Sequence, residues 1–301
     1  MSRPTLLLTG RNGQMGTVFS QQWEWSGLGD RYELVEVGRR ELDIADPVEV
    51  KRYLTDLRPS YIVNAAAYTR VDEAEADQES AYLINEKAVG LLADWCNSNS
   101  CRLLHISTDF VFGGDATSPY SVDSEAVPLS VYGASKLAGE MHVTSCLPSN
   151  GIVVRTSWLY SEHGQNFVKT MLRLMSEGRD VRVVCDQIGS PTSAHTLCKY
   201  IAQLIAADSA AGIYHFTDGG ELSWYEFAVA IQKIGVELGL ISARAKVIPV
   251  TAAEYSTAAR RPSYSVLERT PEGSPECGGT PSWRIELCSV LERIKAGSLG
   301  R

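Results

Sequence analysis

The sequence predicts an α/β fold, a doubly wound parallel sheet followed by a smaller region. Three observations carry that reading. Short apolar runs at residues 5–10, 33–37, 61–66, 101–108, 151–160 and 212–217 alternate with stretches of helical periodicity, the pattern left by repeated strand–helix–strand units. The first run leads through closely spaced glycines into a helix. After Gly219 the alternation stops, and two helical stretches, 224–234 and 283–294, flank the irregular residues 251–281, which are rich in Pro, Ser, Thr and Gly.

At 301 residues and 44% hydrophobic, the chain can bury a substantial core. Its 28 basic and 36 acidic side chains give a formal charge of -8, which leaves no basic footprint for nucleic acid or an anionic membrane surface. An anionic ligand must therefore be held by local groups. The 7 cysteines are scattered without a C-x-x-C pair, and the 5 histidines are not paired at ligand spacing, so neither a disulfide framework nor a metal site is expected. The first strand begins too early for a signal-peptide core to precede it, and no apolar run reaches ~18 residues. The expectation is a cytoplasmic protein.

Taken in order, the first strand ends in Gly10-Arg11-Asn12-Gly13-Gln14-Met15-Gly16 and is followed by a helical pattern through Val18, Phe19 and Trp23. Glycines in such a turn let a diphosphate approach the backbone, where the amides and positive end of the helix meet its charge. The G-x-x-G-x-x-G spacing is one residue longer than the commonest dinucleotide fingerprint. On its own it also describes a tight turn. The second strand ends in Gly38-Arg39-Arg40, where a Rossmann-type sheet presents the residue that reads the adenosine ribose. Arg39, with Arg11, favours a 2′-phosphate and so NADPH, with NADH as the alternative if both arginines are solvated surface charges.

Asp46, Pro47 and Glu49 mark the start of a helix reaching about residue 57. The third strand ends in Asn64-Ala65-Ala66-Ala67-Tyr68-Thr69, small residues that let a cofactor lie against the chain, and residues 71–96 then read as one long core-facing helix through Ala81, Ile84, Ala88, Leu91 and Trp95. The fourth strand finishes in Ser107-Thr108-Asp109-Phe110, hydroxyls at the carboxyl end of a parallel strand, where such sheets bind ligands. A polar loop, 119–129, leads to Ser130-Val131-Tyr132-Gly133-Ala134-Ser135-Lys136. On a helix, Tyr132 and Lys136 stack on one face. A fixed ammonium beside a phenol favours phenolate and draws its proton toward exchange near neutral pH. Tyr-x-x-x-Lys alone equally describes an amphipathic helix with a surface lysine. Further on come strands at 151–160, 181–184 and 212–217 and helices at 167–176 and 196–207.

Together, the glycine turn, the Ser107-Thr108-Asp109 strand end and Tyr132-x-x-x-Lys136 resemble the extended short-chain dehydrogenase/reductase family. Arg155-Thr156-Ser157-Trp158, Asn166-Phe167-Val168, Asp186-Gln187-x-Gly189-x-Pro191-Thr192, Trp224-Tyr225-Glu226-Phe227 and Arg261-Pro262 extend the likeness over nearly the whole chain. The resemblance implies a catalytic group of Thr108, Tyr132 and Lys136. It implies cofactor binding by Gly10, Arg11, Asn12, Gly13, Gln14, Met15, Gly16, Arg39, Asp43, Ile44, Ala65, Ala66, Ala67 and Tyr68, with Tyr132 and Lys136. Thr69, Val71, Asp109, Phe110, Trp158 and Arg261 fall to the substrate.

The implied reaction is NADPH-dependent reduction of the C4 ketone of a 4-keto-6-deoxy sugar nucleotide. The nucleotide-binding domain would be discontinuous, residues 1–160 and 187–218, with 161–186 and 219–301 binding substrate. A nucleotide sugar is the implied small-molecule partner and a homodimer the implied assembly; no acidic cluster is assignable to magnesium. Residues 272–281 depart from the family pattern. Within the family the competing reading is a sugar-nucleotide dehydratase or epimerase; a dehydratase would need an acid after Thr108-Asp109, where this chain has Phe110, which cannot take a proton. The other alternative is a non-catalytic binding protein like the regulatory subunit of methionine adenosyltransferase.

Overall fold

The computed structural model describes residues 3–242, 244–270 and 281–299. Cys277 and all but Pro281 of the divergent stretch 272–281 lie outside the described residues. Strands β1 (Thr5–Thr9), β2 (Glu33–Val37), β3 (Tyr61–Asn64), β4 (Arg102–Thr108) and β5 (Gly151–Thr156) join the strand Gly212–His215 in a six-stranded sheet. The order is Gly212–His215, β5, β4, β3, β1, β2, and every pairing is parallel. Parallel strands in such a sheet are covered on both faces, and the alternation along each strand shows how. Leu6, Leu8, Val63, Leu104 and Val154 point into one core, with α1 (Gln14–Gln22) and the helix Ala194–Ala206; Leu7, Ile62, Leu103 and Val153 point into the other, with α2 (Pro47–Leu57) and the helices Ala88–Ser98 and Val131–Cys146.

A third core lies outside the sheet. The helices Phe167–Ser176, Trp224–Glu237 and Trp283–Leu299 bury Val168, Met175, Phe227, Ile231, Leu287 and Leu291 against the strand Val181–Val184, which pairs in parallel with Val247–Val250. Gln14, at the start of α1, ties this region to the sheet by accepting from Asn166 Nδ2 at 2.7 Å and Ser161 Oγ at 3.2 Å. No helix among the described residues is long and apolar enough to cross a membrane.

Two expected elements differ. Residues 71–96 are not one helix but Val71–Ala74, Gln78–Tyr82, a wide turn Leu83–Lys87 and Ala88–Ser98. Asp77 breaks the first interval by capping Ser80 N–H. Farther on, the wide turn carries Asn85, which is fully buried and hydrogen-bonds both the N–H and the carbonyl of Tyr68. The apolar spacing survives the break while the faces diverge, Ala74 and Ala81 packing with Tyr68 and Ala88 and Leu92 with the sheet core, with Ile84 against both. The strand at 151–160 also ends early, at Thr156, because Trp158 adopts φ 46 before Leu159–Tyr160 resumes extended pairing. Asp46 caps α2 as expected, accepting from Val48 and Glu49 amides, while Glu49 itself reaches the Asp43 amide.

Candidate active site

Strand order reverses between β1 and β3, and ligands of open α/β sheets bind at the carboxyl ends of strands at such a switch point. A cleft of roughly 370 Å³ opens there. Gly10, Asn12, Gly13, Arg39, Asp43, Ile44, Ala65, Ala66, Ala67, Tyr68 and Thr69 all line it. Gly10 has φ 73, and a Cβ there would stand 2.6 Å from Ala66 N, so the turn and the end of β3 close on each other only because the side chain is missing. Gly16 does the same for the helix, where a Cβ would collide with the Gly10 carbonyl. This glycine-walled cradle fits a dinucleotide. Met15 is different: its side chain is buried in the core, leaving only its backbone for a ligand. Gln14 faces the second region and Arg11 lies off the cleft, bound to Glu41 at 3.3 Å; Arg39 pairs with Asp43 at 3.2 Å.

Ser130 caps the tyrosine helix, Val131–Cys146, by accepting from Gly133 N–H at 3.1 Å. Gly133 is required by contact, since a Cβ would meet the Phe110 carbonyl at 2.2 Å. That approach brings Tyr132 edge-on to the Phe110 ring, 5.7 Å between centroids. The Thr108 side chain lies close to its phenol. Thr108 Oγ1 donates to Asp109 Oδ1 at 3.0 Å and accepts from Phe110 N–H at 3.2 Å. Tyr132 also packs in a small cluster with Tyr68 and Ala74, next to the cofactor cleft. Ser107 Oγ is buried without a hydrogen-bond partner among the described residues.

The electrostatics depart from the expectation of a phenol acidified by Lys136. Burial pushes Tyr132 up to about 12, with Thr108 opposing and the Asp109 charge adding to the rise. Lys136 Nζ bonds instead to the Ile106 carbonyl at 2.6 Å and to His105 Nε2 at 3.1 Å. Desolvation draws Lys136 down to about 8 and lifts the Asp109 carboxyl to about 6. Tyr132 therefore keeps its proton near neutral pH.

A second cleft, roughly 970 Å³, lies against the outer region and is lined by Asp72, Phe167, Arg182, Trp224, Arg260 and Arg261 among others. Arg261 is held by Asp72 through bonds of 3.1 and 2.7 Å. Trp158 stacks on Trp224 with centroids 3.5 Å apart. Val71, Asp109, Phe110 and Trp158 do not themselves line this cleft, though Val71 adjoins Asp72 and Trp158 supports Trp224. The short segment from Thr69 to Asp72 links the two clefts, and Tyr132 packs with Tyr68 and Ala74, which flank that segment.

Sequence reasoning missed Arg182 and Arg260, because a lone arginine in a strand or an irregular stretch carries no periodic signal. It also missed His105 and Asn64, whose sequence signature is only a polar residue in an apolar run. Among the described residues, no group of His, Cys, Asp and Glu is placed to hold a metal ion.

Residues 4–296 match the family model described as the RmlD substrate binding domain. The chain is 37% identical over 298 residues to a dTDP-4-dehydrorhamnose reductase of Burkholderia thailandensis, covering 94% of this chain and 97% of that one. The chain belongs to the dTDP-4-dehydrorhamnose reductase family. The Escherichia coli dTDP-4-dehydrorhamnose reductase is 35% identical, with 96% and 97% covered. A family member of Streptomyces antibioticus described as a probable dTDP-4,6-dihydroxy-2-methyloxan-3-one 4-ketoreductase is 37% identical over 96% and 95%. Among solved structures of the family, the Bacillus anthracis dTDP-4-dehydrorhamnose reductase in complex with NADP superposes with a TM-score of 0.88 at 34% identity, covering 97% of this chain and all of that one.

Proposed function

We propose that the protein transfers hydride from NADPH to the C4 ketone of a dTDP-linked 4-keto-6-deoxy sugar, dTDP-4-dehydro-L-rhamnose to dTDP-L-rhamnose foremost, in dTDP-rhamnose biosynthesis. The observation that carries this reading is the placement of Tyr132, with its proton retained, beside the segment that joins a glycine-walled cleft to an arginine-lined one. NADPH, when bound, supplies the hydride. Gly10, Gly13, Ala65 and Ala66 shape its site, and Arg39 and Arg11 would meet a 2′-phosphate after leaving Asp43 and Glu41.

As hydride adds, the ketone oxygen becomes an alkoxide, and the Tyr132 phenol donates its proton to it. Thr108, close to that phenol, positions the oxygen. Lys136 orients the cofactor side of the site. Arg182, Arg260 and Arg261 are suited to a nucleoside diphosphate, and the stacked Trp224 and Trp158 to a ring. In this reading residues 161–186 and 219–301 form the substrate-binding region, the protein is cytoplasmic, and it is a homodimer, which light scattering would test.

The position after Asp109 supports reduction over elimination, since Phe110 has no proton to exchange. Incubation with NADPH and 4-keto sugars carried on dTDP, UDP or GDP tests the proposal. Cofactor oxidation with the dTDP sugar is expected, and none with any of the three would overturn it.

A further inference from the structure

A line of buried polar groups crosses the sheet beneath the site. Thr9 Oγ1 donates to Asn64 Oδ1 at 2.6 Å, Asn64 Nδ2 lies 3.0 Å from His105 Nδ1, and His105 Nε2 lies 3.1 Å from Lys136 Nζ. Asn64 and His105 are fully buried and Lys136 is 2% exposed, so water does not compete for these contacts.

One backbone group sets the direction of the line. The Ala66 amide donates to Asn64 Oδ1 at 3.2 Å, and a main-chain N–H cannot reverse. Asn64 must therefore turn its oxygen to Ala66 and Thr9 and its NH₂ to the imidazole. His105 Nδ1 accepts, so the neutral ring carries its hydrogen on Nε2. An ammonium at Nζ would set donor against donor. A neutral amine accepts the Nε2–H and still donates to the Ile106 carbonyl at 2.6 Å.

We propose that His105 is a positioning residue that presents Nε2–H to Lys136, holds the amine against β4 and weakens its hold on a proton, with Ala66 and Asn64 fixing the tautomer. Burial works in the same direction, keeping His105 well below its ordinary value and lowering Lys136 to about 8, so that the amine is mostly neutral only above that pH. Glu140, one turn along the helix, favours the ammonium. Its two oxygens are already engaged by Arg155 of β5 through bonds of 3.0, 3.1 and 2.7 Å. From the neighbouring helices, Asn85 is uncharged and Glu86 faces His142 at 4.0 Å. Asp109, past the end of β4, acts on Tyr132. The lysine would then take up a proton when an anionic ligand calls for a cation at this place.

Nitrogen NMR of the cofactor-free protein tests this. Wild type should show His105 protonated at Nε2 and bare at Nδ1 across about pH 6 to 9, without an imidazolium. In Asn64→Asp the carboxylate accepts from Nδ1–H, the tautomer inverts, and Lys136 should titrate higher by about one pH unit, tenfold in proton affinity. Should that variant not fold, His105→Gln offers an amide oxygen to Nζ and should raise the lysine titration likewise. An Nδ1–H tautomer or an imidazolium in wild type, or a lysine titration unmoved in every folded variant, would overturn the proposal. It rests on the reductase reading only for the place of Lys136 in the site. No substrate is used, so either can fail alone.

Discussion

In the proposed reaction Tyr132 is the acid, and desolvation keeps its proton in place. With its titration lifted to about 12 by desolvation, the phenol keeps its proton until an alkoxide forms beside it, which suits reduction of a ketone. Tyr132→Phe should keep the ring contact with Phe110 and leave cofactor affinity near wild type, while lowering turnover by a factor on the order of 10² to 10⁴. Single-turnover kinetics alongside cofactor titration checks the split, and an unchanged rate would remove Tyr132 from the chemistry. Gly189 is a residue-scale constraint of another kind. A Cβ there would stand 2.6 Å from the Trp158 ring, which is stacked on Trp224. Gly189→Ala should therefore cost about 1–3 kcal/mol in chemical denaturation as the ring is forced to shift.

Between elements, buried ionisable groups act as ties. Arg155 of β5 grips Glu140 of the tyrosine helix from a site where both side chains are at most 4% exposed, and removing one partner would strand the other charge at a cost of about 3–5 kcal/mol. Asp218, just after the strand Gly212–His215, ties that strand to the helix Ala194–Ala206. Its oxygens meet Ser193 N–H at 2.8 Å and Thr196 Oγ1 at 2.6 Å. Thr196 Oγ1 is also 2.9 Å from the Ser193 carbonyl. One hydroxyl hydrogen cannot serve both acceptors, so a proton on Asp218 completes the set.

Burial accordingly raises Asp218 from 3.8 to about 7. The folded state binds that proton more tightly than the unfolded chain, so the contribution is full below the unfolded value and is lost as pH rises through about 7. Asp109, raised from 3.8 to about 6, acts with the same sign over a lower window. Wild type should lose stability between about pH 4 and 7, on the order of a few kcal/mol. Asp218→Asn, whose NH₂ replaces the shared proton, should flatten the upper part of that profile in urea melts taken across pH. A profile identical to wild type would show that Asp218 is ionised throughout.

Across the whole molecule, a chain of formal charge -8 has to gather its cations where anions bind. Arg182, Arg260 and Arg261 line the second cleft, and in the proposed function they meet the diphosphate there. Arg182→Ala with Arg260→Ala should raise KM for the nucleotide sugar at least tenfold, each lost charge-assisted bond contributing about 1.5–3 kcal/mol, with kcat changed little. An unaltered KM would move the diphosphate elsewhere. The cofactor end makes a parallel prediction. Arg11→Ser with Arg39→Ser should shift the ratio of NADPH to NADH dissociation constants by more than about tenfold. A ratio that does not move would identify both arginines as partners of Glu41 and Asp43 alone.

The sheet, its glycine turn and the Tyr132 helix were legible along the chain because they are local: a period of two or of 3.6 residues, and glycines at fixed offsets. The same locality placed the helices Phe167–Ser176 and Trp224–Glu237. What a periodic pattern cannot carry is the partner of a polar side chain. Residues 71–96 kept their apolar spacing while Asn85 bent the chain toward Tyr68, and nothing near Lys136 in sequence announced that His105, 31 residues away, would take its amine. That Tyr132 is less acidic than a free phenol likewise depends on the groups the fold packs around it. Charge states belong to tertiary structure because desolvation and hydrogen-bond direction are set by groups that meet only after the strands have paired.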